Sequence, residues 1–287
     1  MKILPYMAAV GTALFWSSSF PAVRYTLEYY SPESLMIFRF LVASAVLLAY
    51  CAVKKVPPPR KEDLALFAAS GFVGLFLYMW AFNVGTSLVL SGISSFIIAS
   101  APVFTLLMSI VFLKEKAGLM LWIGVLISFA GIVIIGTTQV TEMRINIGML
   151  LLLSAAVFTS AFNILQKRIL RKYTVMQATS YSVAFGTLFM CVFLPDLIQE
   201  FPAAPMQVNM LVVYLGVFPA ALAYFFWGYA LSKVEKTIYV TSFLYLVPFL
   251  ASIMAFLWLG EQMPVMALLG GVVVVLGMVI TNAFKAA

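Results

Sequence analysis

Histidine is absent from the 287 residues, aspartate and cysteine occur twice each, and only 9% of the chain is charged. Without imidazole there is no histidine metal site, no serine–histidine dyad and no histidine acid–base step. The two aspartates, Asp63 and Asp196, fall in polar breaks and not in apolar runs. That removes the membrane aspartate pair of an intramembrane protease. No catalytic residue, metal site or cofactor motif is legible, so the chain is expected not to be an enzyme. Cys51 and Cys191 are expected at opposite membrane faces, out of reach of an internal disulfide. Connections between apolar runs do not exceed about a dozen residues, which leaves no soluble domain to carry activity.

What is abundant is apolar: 64% of residues are hydrophobic and the mean hydropathy is +1.09. A soluble domain holds about 45–50% apolar and about 25% charged residues, so part of the solvent here is lipid. A membrane-spanning helix needs about 20 apolar residues. Polar breaks divide the chain into ten such segments, near 4–23, 33–53, 64–84, 88–113, 117–136, 147–166, 175–195, 208–231, 237–260 and 264–283. Ser31-Pro32 reads as an N-cap with proline at the first helical position, and Thr174 to Gln177 has capping-box spacing. The first segment, after Lys2, has the look of a signal peptide, but nine further spans favour a retained helix.

Charge sets the orientation. With the N-terminus inside, the inner breaks hold 14 of the 17 Lys and Arg residues, the outer breaks hold Arg24 and Arg144, and Arg39 lies within span two. Both termini are therefore expected in the cytoplasm. The net charge of +7 is then a topology signal and not a nucleic-acid surface.

The chain also contains itself twice. Pro102 and Glu115 are 13 residues apart, as are Pro248 and Glu261, and an offset of 146 relates the two pairs. The same offset matches Leu113 to Leu259, Gly124 to Gly270 and Gly131 to Gly277. Such coincidence at one offset indicates duplication, with residues 1–140 and 141–287 as two five-helix units. Five is odd, so the second unit inserts upside down. The expected fold is all-α: ten transmembrane helices arranged as two inverted five-helix repeats. Inverted halves of this kind can exchange conformations around a central site, the arrangement of many secondary transporters.

Leu14-Phe15-Trp16-Ser17-Ser18-Ser19-Phe20, Phe38-Arg39-Phe40-Leu41 and Ala101-Pro102-Val103-Phe104-Thr105 resemble motifs of the drug/metabolite transporter superfamily, EamA type. Length, span count and duplication match across the whole chain. The resemblance implies a bacterial inner-membrane exporter of amino acids or related metabolites. It also implies a central cavity bounded by spans 1, 3, 4, 6, 8 and 9, with spans 5 and 10 outside it.

Polar and aromatic residues concentrate on spans 1, 3, 4, 6 and 8: Ser17, Ser18 and Ser19; Tyr78, Trp80 and Asn83; Ser91, Ser94, Ser95 and Ser100; Thr159, Ser160 and Asn163; Tyr224, Trp227 and Tyr229. Each hydroxyl can instead satisfy a carbonyl one turn back. From these, Trp16, Ser17, Tyr78, Asn83, Ser95, Asn163, Tyr224 and Trp227 are the expected substrate contacts, in a lining suited to a small zwitterionic or aromatic solute. Pro102 and Pro248 are expected hinges, each removing a backbone hydrogen bond in mid-span, as does Pro219. Arg39 reads either as an anchor bonded to Glu33 or a backbone carbonyl, or as an attractor of a substrate carboxylate. Glu115 and Glu261 read as caps of the 4–5 and 9–10 turns or as proton-binding gates. The glycines of spans five and ten read as close-packing faces that also suit a homodimer. Expected partners are a small-molecule substrate and the lipid bilayer. Two rivals stay open: a lipid or amphiphilic-drug flippase, and a non-transporting scaffold.

Overall fold

The structure, a computed structural model, describes residues 3–89, 91–137, 147–259 and 265–283. Lys2, Arg144, Glu261 and Lys285 lie outside them. Among the described residues there are helices and short connections but no strands.

The helical segments, named in chain order, are α1 (Leu4–Thr26), α2 (Pro32–Val53), α3 (Lys61–Leu88), α4 (91–113), α5 (Leu119–Thr137), α6 (Ile147–Ile169), α7 (Val175–Glu200), α8 (Met206–Lys233), α9 (238–259) and α10 (Val265–Ala283). By length and composition, α2, α3, α4, α6, α7 and α8 are long and apolar enough to cross a membrane, and α5, α9 and α10 carry shorter apolar stretches. The molecule is an all-helical, multi-pass membrane protein. Both expected caps are present. Ser31 Oγ accepts from the Ser34 N–H, and Thr174 forms a full capping box with Gln177.

Three stretches widen into π-helix: Phe72–Leu77 in α3, Ser109–Leu113 in α4 and Gly216–Leu222 in α8. The last contains Pro219, whose missing N–H cannot support a regular turn. α4 and α9 are interrupted too. A turn at 99–100 precedes Pro102, and a 3-10 turn, Ser242–Tyr245, lies ahead of Pro248. Proline cannot donate to the carbonyl four residues back, here Ile98 and Leu244.

The helices pair antiparallel, and the pairs come in matched sets. α1 runs against α8: Thr12 Oγ1 donates to Ala223 O at 3.1 Å, Trp16 Nε1 to Pro219 O at 3.0 Å, and Ser18 shares a 2.7 Å bond with Tyr214. α3 runs against α6 in the same way, Gly85 lying on Gly148 and Leu152, and Gln166 Nε2 donating to Ser70 Oγ at 3.2 Å. α5 and α10 lie flush through small residues, with Gly131 against Gly270 and Val274, and Ser128 Oγ bonded to Val274 O at 3.2 Å. In lipid there is little hydrophobic drive between helices, so this close contact and the interhelical hydrogen bonds, about 0.6 kcal/mol each, hold the bundle.

The two ends of the bundle differ in charge. At one end Lys172 pairs with Asp63 at 2.8 Å, Arg168 Nη2 donates to Phe112 O at 2.9 Å, and Lys167 Nζ donates to Leu231 O at 2.8 Å. Donating to the Asp63 carboxylate lifts the Lys172 pKa above its ordinary value. At the other end Ser31 N donates to Glu200 Oε2 at 2.9 Å and Trp80 Nε1 to Glu33 Oε1 at 3.1 Å. Cys51 and Cys191 are both free thiols.

Candidate functional site

A cavity of about 40 Å³ lies among seven helices. α1 contributes Trp16, Ser19 and Phe20; α2 contributes Arg39; α3 contributes Tyr78, Met79 and Phe82. Ser95, Ile98 and Ala99 come from α4, Thr159 from α6, Tyr224 from α8, and Leu244 and Val247 from α9. None of the lining residues belongs to α5 or α10. The volume holds about three waters, so the helices have closed on a space the size of a solute's head group.

Part of the wall comes from residues at matching positions of the two halves of the chain. Tyr78 and Tyr224 are 146 residues apart, the offset of the prolines, and so are Ile98 and Leu244. Ile98 and Leu244 are also the residues whose carbonyls lose a donor to Pro102 and Pro248. Ser17 and Ser160, 143 apart, bond alike: each donates four residues back, to Ala13 O at 2.6 Å and Ala156 O at 2.7 Å. Each also donates across to the carbonyl just before a proline, Val247 O at 3.2 Å and Ala101 O at 2.8 Å. By that count Trp16 is the equivalent of Thr159, and both line the cavity.

Aromatic packing supports one side. The Trp16 ring lies 5.4 Å from Tyr224, edge to face, and 5.0 Å from Trp227. Behind it, Trp227 Nε1 donates to Asn163 Oδ1 at 2.8 Å, and Asn163 Nδ2 reaches Thr105 Oγ1 at 3.4 Å. Arg39 is 2% exposed, with Nε donating to Leu215 O at 3.2 Å and Nη1 lying 4.0 Å from the Met79 sulfur.

Of the expected contact residues, the structure brings Trp16, Tyr78, Ser95 and Tyr224 together on the cavity wall, and Arg39 with them. Ser17, Asn163 and Trp227 stand behind it, their polar atoms occupied by the bonds above. Asn83 sits further along α3, donating to Pro32 O at 3.0 Å, with its buried Oδ1 unpartnered. Arg39 takes the backbone carbonyl and not Glu33, which accepts from Trp80. Glu115 does not hold the α4–α5 turn: its carboxylate accepts from the Thr237 N–H at 2.9 Å and from Thr237 Oγ1 at 2.7 Å, capping the start of α9. Glu261 lies outside the described residues. Ser19, Phe20, Met79, Phe82, Ile98 and Thr159 line the cavity without having been singled out as contacts. Helical phase is the signal that finds them, since Ser19 and Phe20 share the face of Trp16, and Ile98 and Ala99 that of Ser95.

Matched antiparallel helices closing on a small polar and aromatic cavity define a multi-pass membrane transporter. The EamA-like transporter family matches residues 3–137 and again residues 146–283, and the chain belongs to that family. It is 35% identical over 266 residues to the uncharacterized transporter YdfC of Bacillus subtilis, covering 93% of this chain and 87% of that protein. It is 34% identical over 275 residues to the probable terminal-alkyne amino-acid exporter of Streptantibioticus cattleyicolor, covering 96% and 92%. One solved crystal structure shares the fold at a TM-score of 0.76 and 16% identity, covering 97% of this chain and 96% of that one.

Proposed function

We propose that the chain is a carrier, not an enzyme, that exports amino acids or related small metabolites by alternating access. Residues 1–140 and 141–287 act as two units that rock about the central cavity, with Pro102 and Pro248 as hinges. The observation that carries this reading is three pairs of wall residues at matching positions of the two halves, one of them, Ile98 and Leu244, at the proline breaks. Two near-equivalent halves have two closures of similar energy, one open to each side, which is what alternating access requires. The exporter from Streptantibioticus cattleyicolor supports amino acids as the solute class.

The protein resides in the bacterial inner membrane with both termini cytoplasmic. The gathering of Lys167, Arg168 and Lys172 at one end supports this orientation. Serines, tyrosines and tryptophan facing the cavity suit a small solute held by hydrogen bonds and stacking.

Counterflow in proteoliposomes tests the reading without knowledge of the coupling ion. Vesicles preloaded with an unlabelled amino acid should accumulate the same labelled compound for at least one aliphatic or aromatic amino acid. Folded protein that accumulates none of the panel contradicts it. A second reading, export of an amphiphile, draws on an apolar groove of about 620 Å³ between Phe38, Leu41 and Val42 of α2 and Leu197, Ile198 and Phe201 at the end of α7. Transport of a fluorescent short-chain lipid in the same vesicles, with no amino-acid counterflow, would favour it.

A further inference from the structure

We propose that Arg39 is the carboxylate site of the transported solute, so that the carrier selects carboxylate-bearing molecules over their amide and amine analogues. This rests on the carrier reading above and names the group that the cavity recognises.

Arg39 is a buried cation on the cavity wall with no anionic partner among the described residues. Among the described residues the ion pairs are Arg60–Glu62 and Lys172–Asp63, both away from it. Among the described residues, none that lines the cavity is acidic. Of the five guanidinium donors, one has a carbonyl at 3.2 Å and another a thioether sulfur at 4.0 Å, a weak acceptor. A charge held inside a membrane span costs about 2.5–3.5 kcal/mol on insertion scales, and a buried charge is ordinarily paired. Here the missing anion is the cargo.

The local build holds the guanidinium in place. Gly216 lets α2 lie directly on α8, because a Cβ there would stand 2.6 Å from Val42 Cβ and 2.8 Å from Arg39 O. That contact sets Nε against Leu215 O. The planar fork suits the two oxygens of a carboxylate, whereas a phosphate would bring a second charge that no other cation on this wall meets. A space for about three waters suits one carboxylate, with the rings of Phe20, Phe82 and Tyr78 next to it for the rest of the molecule. The second half has no such site among its described residues. Counting from the N-caps Ser31 and Thr174, the equivalent of Arg39 is Ser182, which already accepts from Gln166 Nε2 at 2.8 Å.

The test is a competition series in counterflow of labelled phenylalanine, read together with thermal shifts of the detergent-purified protein. Phenylalanine and 3-phenylpropionate should compete at least 10-fold better than phenylalaninamide and phenylethylamine, as expected of a hydrogen bond to a charged group. In Arg39→Gln the preference should fall to within about twofold, and Arg39→Lys should keep part of it. 3-Phenylpropionate should raise the melting temperature of the wild type but not of Arg39→Gln, and phenylethylamine should raise neither. Equal competition by acid and amide in an active carrier overturns the carboxylate site and leaves the carrier reading standing. Absent counterflow across the whole amino-acid panel, with an Arg39-dependent thermal shift, removes the carrier reading and keeps the anion site. Absence of both removes both.

Discussion

The two halves of this chain share several contacts and part company at the cavity wall. In each, a serine bonds the carbonyl before the other span's proline: Ser17 to Val247 and Ser160 to Ala101. In each, a glycine beside a π-helical stretch lets a neighbouring span lie close, Gly71 on Phe185 and Gly186 as Gly216 lies on Val42. Tyr78 answers Tyr224 across the cavity. Yet Trp16 faces Thr159, and Arg39 has only Ser182 as its counterpart, a residue off the wall and already bonded. On the carrier reading proposed above, what repeats serves packing and motion, and what does not repeat gives the cavity its chemistry. On that reading, duplication supplies two interchangeable closures, and divergence at a few positions supplies selectivity without disturbing them.

Breaking the unmatched position should have the largest effect on transport. Arg39→Gln should lower uptake of a carboxylate solute at least 10-fold. Ser182→Ala, its counterpart, should change uptake less than about twofold. Equal losses in counterflow would erase the distinction between the halves.

Disturbing the matched glycines should act on stability in both halves alike. A Cβ at Gly71 would meet Gly186 N at 2.5 Å, and one at Gly216 would meet Val42 Cβ at 2.6 Å. Gly71→Ala and Gly216→Ala should each destabilise by about 1–3 kcal/mol in unfolding from detergent micelles. Only Gly216→Ala, which shifts the backbone of Arg39, should also weaken the preference for acid over amide. Glu115→Ala should cost about 0.5–2 kcal/mol, because Thr237 at the start of α9 then loses its cap. The smallest changes should come from Ser17→Ala and Ser160→Ala, about 0.6 kcal/mol each in the same assay. Clearly unequal values for the two serines would show that the halves do not share one frame.

The sequence was most informative where a feature is local or periodic. Apolar run length foretold the multi-pass all-helical fold, and the Ser31 and Thr174 caps are short-range motifs that formed as read. The offset of 146 found the prolines, and through them the level of the cavity. Side-chain identity without helical phase did less well: Ser17 and Ser19 are both polar, but a 100° turn per residue puts only Ser19 on the face of Trp16. Asn163 and Trp227 answer each other's hydrogen-bonding needs across α6 and α8, a pairing 64 residues apart that composition cannot reveal. Glu115 likewise caps a helix 122 residues away and not its neighbour. Arg39 is legible in the sequence as the one charge within a span, but the absence of a carboxylate partner for it among the described residues is a tertiary fact.

The most direct measurement of alternating access is the accessibility of single cysteines at Ser19 and Thr159, one on each side of the cavity, in a background lacking Cys51 and Cys191. A membrane-impermeant thiol reagent would be applied to right-side-out and inside-out vesicles, with and without transported solute. Both positions should be labelled from both faces, with the solute shifting the balance between them. Labelling from one face alone under every condition would contradict a carrier that opens to each side in turn.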